Sequence, residues 1–200
     1  MALLRGFGRT DVEPVLETDR LVLRPPEAAD YASWAAIRRE SRNFLQPWEP
    51  LWPVDDLTRM GYRRRLKRIQ QDQREGTAFT FFLFPRGIRG GGVLGGITLG
   101  NIRRGVTQSA SIGYWMGERH AGQGYMGEAV DAILAFAFAD LDLHRVEAAC
   151  LPANDASRHL LLRHGFAWEG HARQYLKIAG EWRDHHLFAR LATDDPRGPA

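Results

Sequence analysis

The chain has 200 residues, 44% of them hydrophobic, a formal net charge of +3 and one cysteine, Cys150. That is enough apolar material for one core, so a single domain is expected over 1–200, ordered from about 17 to 192 with loose termini. An internal disulfide is excluded, no run reaches the roughly 18 apolar residues of a membrane span, and Met1 to Thr10 lacks the apolar stretch of a secretory signal, so a cytoplasmic location is expected.

Leu21-Val-Leu-Arg24, after Thr18-Asp19, is a short β-like run. Tyr31, Trp34, Ala35 and Ile37 then recur at helical spacing within Glu27–Glu40. Asn43 to Pro53 holds three prolines that forbid regular structure and Phe44, Trp48 and Trp52, which favour burial, so an ordered loop is expected. Asp55 and Asp56 stand where they can cap a helix running to about Glu75, with Leu57, Met60, Leu66 and Ile69 along one side. Its bases, Arg59, Arg63, Arg64, Arg65, Lys67 and Arg68, fit either a solvated face or a docking surface for an acidic partner such as RNA or a ribosome.

Thr77–Phe84 and Gly92–Asn101 are strands joined by a turn, and Ser109–Met116 is a third. Gly124–Leu141 is an apolar helix, His144–Leu151 a strand that carries Cys150 among apolar neighbours, and Asn154–His164 a helix. Phe166–Ile178 and Trp182–Leu191 pair as a hairpin through Ala179-Gly180. The order is β, two helices, three β, α, β, α, β, β, which gives an α/β class with an α+β mixed sheet and a parallel crossover only at its centre.

That crossover contains Gly117-Glu-Arg-His-Ala-Gly-Gln-Gly-Tyr-Met-Gly127. Glycines let successive N–H groups turn inward, and the following helix start adds partial positive charge, so the loop is a cradle for a pyrophosphate. Gly122-x-Gly124-x-x-Gly127 formally matches the dinucleotide fingerprint. Two features oppose a nicotinamide reading: five residues separate Gly122 from its strand, and the next strand ends in Leu151-Pro152 where an acid is needed.

These residues resemble the GNAT acyltransferase superfamily, whose loop Gln/Arg-x-x-Gly-x-Gly/Ala binds the pyrophosphate of acetyl-CoA. Ala121-Gly-Gln-Gly124-Tyr-Met126 departs from that pattern at both ends, while Arg119 to Gly124 fits it formally, and both registers use the same amides. Gly124-Tyr-Met-x-Glu128-Ala, Asn154-x-x-Ser157 with Gly165-Phe166-x-x-Glu169-Gly170, Tyr175-Leu-x-Ile-x-Gly180-x-Trp182-Arg-Asp184-His185 and Leu45-Gln-Pro-Trp-Glu-Pro50 are similar to its RimJ-like branch, the ribosomal-protein-alanine N-acetyltransferases. The resemblance runs from about Thr18 to Leu191. It implies a central twisted sheet, flanked by helices and splayed between the strands 109–116 and 144–151. Acetyl-CoA would meet Trp115, Met116, Ala121, Gly122, Gln123, Gly124, Tyr125, Met126, Gly127, Asn154, Ser157 and Arg158.

Acetyl transfer to an amine needs a neutral nucleophile, donors for the carbonyl oxygen and a proton for the leaving thiolate. An α-amino group titrates about 2.5 units below lysine, a difference of roughly 3.4 kcal/mol, so a weak base acting through water suffices for a protein N-terminus. Many relatives place a tyrosine acid seven residues after the helix asparagine, where this chain has Leu161. Ser157, one helical turn earlier, takes that role in one reading and is a packing serine in another. Glu49 is the candidate base, with Glu118 and Glu169 as alternatives, and Trp48, Tyr175, Trp182 and Asp184 are the acceptor-side candidates. The seven histidines lack metal-ligand spacing, so no metal is expected. Competing functions are acetylation of a small amine or antibiotic, and a non-catalytic RNA- or ribosome-binding role; monomer and homodimer both remain open.

Overall fold

Alternate residues of a strand face opposite ways, and the central strands here are apolar on both faces, so they require cover on each side. A computed structural model describes residues 14–88 and 90–194. Its strands are β1 (Leu16–Glu17), β2 (Leu21–Arg24), β3 (Phe79–Pro85), β4 (Gly95–Arg103), β5 (Ser109–Met116), β6 (Arg145–Cys150), β7 (Ala167–Ile178) and β8 (Glu181–Leu191). Its helices are α1 (Tyr31–Glu40), α2 (Arg42–Leu45), α3 (Arg59–Glu75), α4 (Tyr125–Ala135) and α5 (Asp155–Arg163). The strands form one sheet in the order β1-β2-β3-β4-β5-β6-β8-β7, antiparallel except at β5–β6, so the expected mixed α/β architecture is present. On one face α4 buries Ala129, Val130 and Ile133 against Leu21, Phe81, Ile97 and Ile112; on the other, Trp34, Ile37, Tyr62 and Leu66 of α1 and α3 meet Phe82 and Trp115.

Several expected boundaries move, each for a local reason. The loose ends at 1–13 and 195–200 lie outside the described residues, but Leu16–Glu17, placed at the margin of the ordered core, is already paired with β2. The proline-rich 43–53 is not wholly irregular: Arg42–Leu45 is helical and Gln46–Trp48 is a 3-10 turn, which accepts Pro47 because the first turn of a helix needs no N–H there. Thr58, rather than Asp55 or Asp56, caps α3 by accepting from the Gly61 N–H at 3.0 Å, so the basic helix begins at Arg59 and not at 57. The two aspartates instead pair with Arg64 and Arg65 one to two turns on. The helix expected to reach Leu141 widens after Ala135 into a π-type turn over Phe136–Asp140, which seats the Phe136 ring edge-on against Phe79 and Phe81. At the far hairpin Ala179 and Gly180 both have positive φ, 49° and 89°, the geometry of a tight two-residue turn. Among the described residues no helix is long and apolar enough to cross a membrane.

One irregularity positions the site. The β5–β6 ladder runs from Ser109↔Arg145 to Ile112↔Ala148 and ends there. Gly113–Met116 and Ala149–Cys150 therefore form the two lips of a splay at the middle of the sheet.

Candidate active site

A cavity of about 1050 Å³ opens through this splay, lined by Gly113–Met116 on one lip, Ala149 and Cys150 on the other, the glycine loop, the start of α5, and Phe44, Leu45, Trp48 and Glu49. At the loop, Gly122 and Gly124 take φ of 72° and 81°, values a side chain rarely tolerates, and Gly124 is the N-cap of α4. The first N–H groups of α4 have no partner within the helix and carry its positive end. The third glycine has a different purpose: a Cβ on Gly127 would stand 2.7 Å from His164 Nε2, so it permits close approach of α4 and α5. His164 Nδ1 is itself held by Asp131 at 2.7 Å. The expected splay and anion cradle thus face one cavity, and the residues present fit a pyrophosphate carrying an extended thiol arm.

Of the residues expected to touch the donor, Trp115, Met116, Ala121, Gly122, Gly124, Tyr125, Met126, Gly127, Asn154 and Ser157 line the cavity, whereas Gln123 and Arg158 do not. The Gln123 side chain turns back to the Arg119 carbonyl at 2.8 Å, and Arg158 pairs with Asp155 at 2.8 Å on the exposed side of α5. Asn154 Oδ1 accepts from the Ser157 N–H at 3.0 Å and caps α5. That cap aims Ser157 across the splay, where its Oγ lies 2.7 Å from the Tyr114 phenol. Tyr114 was not singled out by sequence reasoning, although the alternation Ala110, Ile112, Tyr114, Met116 places it on the α4–α5 face. Burial pushes the Tyr114 phenol up to about 12, against the opposing effect of Ser157, so it keeps its proton at ordinary pH. Burial likewise raises the Cys150 thiol, which lines the opposite lip.

The acceptor side is built on Arg38, also unforeseen. Its guanidinium is clamped between Trp52 and Trp115, with centroid distances of 4.1 and 4.8 Å, and donates to both Glu49 oxygens at 2.7 Å. Trp52 Nε1 donates a third hydrogen bond to Glu49, at 2.6 Å. The Glu49 carbonyl in turn accepts from the Ala179 N–H at 2.9 Å, which ties the β7–β8 turn to this wall. Trp48 and Glu49 line the cavity. Tyr175 instead lines a separate cavity of about 170 Å³ with Ser111, Glu147 and Glu169, and Trp182 stands exposed near the hairpin tip. Asp184 is also outside the main cavity, because it accepts from the Gln174 N–H at 2.8 Å and pairs with His171 at 2.9 Å across a bulge between β7 and β8. Of the alternative bases, Glu169 is bound to Arg145 and Glu118 lies exposed in the turn before the glycine loop. Among the described residues no cluster of three metal-ligating side chains occurs.

Residues 20–167 match the family model described as acetyltransferase (GNAT) domain. The chain is 38% identical to the [Ribosomal protein uS5]-alanine N-acetyltransferase of Escherichia coli K12, over 94% of this chain and 97% of that protein. It is 34% identical to the probable N-acetyltransferase YjcK of Bacillus subtilis, over 90% and 99%. Among solved structures, Mycobacterium smegmatis RimJ in complex with CoA-disulfide superposes with a TM-score of 0.82 at 32% identity, covering 90% of this chain and 87% of that one. The ribosomal-protein-S5-alanine acetyltransferase of Vibrio fischeri gives 0.83 at 28%, covering 90% and 98%.

Proposed function

Because this chain belongs to the GNAT acetyltransferase family and is an N-acetyltransferase, we propose that it moves the acetyl group of acetyl-CoA to the N-terminal alanine of a ribosomal protein. The observation that carries the choice of acceptor is the 38% identity, over 94% of this chain, with a relative named for that reaction. The loop amides of Gly122–Gly127 and the start of α4 hold the diphosphate, and the β5–β6 splay receives the arm that bears the thioester.

The thioester supplies an activated acyl carbon. The uncharged amine adds to it from the side of Trp48 and Glu49, the C–S bond breaks, and the departing thiolate takes a proton from Ser157 Oγ, which the Tyr114 hydroxyl replaces before solvent in the cavity restores the phenol. The proton released by the amine leaves through water at Glu49. A carboxylate offers about four acceptor positions, and Arg38 and Trp52 fill three of them at Glu49. The free position on Oε1 is open to a water, and an α-amino group, which loses its proton about 2.5 units more easily than a lysine, needs no more than that. An alanine-started peptide incubated with acetyl-CoA should therefore gain the mass of one acetyl group, and the same peptide with a blocked N-terminus should gain none. Acetylation of the lysine side chain alone, or of small amines in preference to the peptide, would overturn this assignment.

The surface of α3 supports a second contact. Asp55 and Asp56 neutralise Arg64 and Arg65, whereas Arg63, Lys67 and Arg68 are exposed and place like charges one turn apart at 63 and 67, a cost in an isolated helix. We propose that this face docks on RNA beside the acceptor protein. Binding to duplex RNA should then weaken steeply between about 50 and 200 mM salt, and neutralising Arg63, Lys67 and Arg68 together should flatten that slope. A slope that the triple variant leaves unchanged would exclude this face.

A further inference from the structure

Arg20 lies in the bend just before β2, 103 residues from Gln123, yet its guanidinium reaches three consecutive loop positions. Nη1 donates to the Gln123 carbonyl at 3.0 Å, Nη2 stands 3.1 Å from where a Cβ on Gly124 would be, and the group lies 4.7 Å over the Tyr125 ring. Its Nε donates to Glu128 at 2.6 Å, and the other Glu128 oxygen accepts from Thr18 Oγ1 at 2.9 Å. The Thr18 hydroxyl also accepts from the Leu21 N–H at 3.0 Å, so the bracket is anchored to the first residue of β2. Burial alone would raise the Glu128 carboxyl, but Arg20 and Thr18 hold it below its ordinary range, so it remains an anion.

The peptide bond decides what this bracket does. The Gln123 carbonyl and the Gly124 N–H share one planar trans unit and point in opposite directions. Holding that carbonyl on Arg20 turns the Gly124 N–H away from Arg20, which does not line the cavity, and onto the side where Gly124 does. The same contact places a positive charge behind the cradle and cancels Glu128, which would otherwise repel an anion there.

We propose that Arg20, bracketed by Glu128 and Thr18, is a positioning residue that orients the Gln123–Gly124 peptide toward the diphosphate of the acyl donor. The inference rests on the acetyl-CoA reading above and extends it to Arg20 and Thr18, which no loop motif contains. The Arg20 side chain is 47% exposed, and an exposed ion pair contributes little to global stability, so the effect falls on donor binding rather than on folding.

The test compares acetyl-CoA with S-acetyl-pantetheine, which lacks the diphosphate, in the intact protein and in Arg20→Gln and Glu128→Gln. In both variants the KM for acetyl-CoA relative to that for acetyl-pantetheine should rise about tenfold, the scale of one lost charge-assisted hydrogen bond, with the change on KM rather than kcat. Arg20→Lys keeps the charge but cannot span Glu128 and Gln123 together, so it should recover only part of the ratio. An unchanged ratio, or an equal loss with both donors together with a lowered melting temperature, overturns the proposal. Calorimetric binding of CoA against pantetheine reads the same ratio without turnover. An intact protein that binds CoA but acetylates no peptide would therefore fail the acceptor assignment and leave this test standing.

Discussion

Ser157→Ala should lower kcat for peptide acetylation by roughly 100-fold, the lower end of what a positioned proton donor contributes, while the KM for acetyl-CoA changes little. The expectation rests on the 2.7 Å contact with Tyr114, which gives the Ser157 hydroxyl a proton source behind it at the end of α5 that faces the splay. Tyr114→Phe keeps the ring and removes only the source, so it should reproduce part of the loss. Because burial holds the phenol up to about 12, the acid stays loaded through the working range. The rate should therefore rise with pH as the acceptor amine deprotonates near 7.7–8.0, with no fall from the acid below about pH 11. A kcat that Ser157→Ala leaves unaltered would assign thiolate protonation to water.

Arg38→Ala should destabilise the fold by about 3 kcal/mol, the low end for loss of one partner of a buried pair, because Glu49 keeps Trp52 and opens on the cavity. In a chain of this size that lowers the melting temperature by roughly 10 °C. Its guanidinium is the filling between Trp52 and Trp115, so the variant also leaves a cavity where two rings now pack on a cation. Arg38→Lys retains charge but not the two-pronged grip on Glu49 and should recover only part of the stability. Its KM for the peptide should rise more than that for acetyl-CoA, since the wall it supports carries Trp48 and Glu49 and not the glycine loop. Equal effects on both substrates would show that Arg38 supports the fold alone.

The legible parts of the chain are those whose causes are local. Glycines at 122 and 124, between an alternating strand and an apolar helix, require a turn with inward amides wherever the rest of the chain goes. Ala179-Gly180 between two long β-like runs makes a hairpin for the same kind of reason, and Asn154 three residues before Ser157 makes a helix cap. The misplaced features were those in which two local signals compete. Asp55 and Asp56 are good caps by type, but Thr58 stands nearer the first helical turn and leaves them free to pair with Arg64 and Arg65.

Trp182 and Asp184 show the limit from the other side. Their residue types suit an acceptor site, but the bulge in β7–β8 turns Asp184 onto Gln174 and His171, and Trp182 stands out at the tip. A strand's register cannot be read from one of its members, and a one-residue slip exchanges its faces.

The sequence by itself determined the family, the mixed sheet, the glycine turn ahead of α4 and the presence of Ser157 at the start of its helix, because each is carried by short runs of neighbouring residues. Only the tertiary structure decided that Tyr114 meets Ser157 across 43 positions, that Arg20 braces Glu128 across 108, and that Arg38 joins Glu49 to Trp115. Those contacts arise where the β5–β6 ladder stops at Ile112↔Ala148 and the layers on either face close around the gap. Such closure depends on how all eight strands stack, which no local pattern of residues encodes.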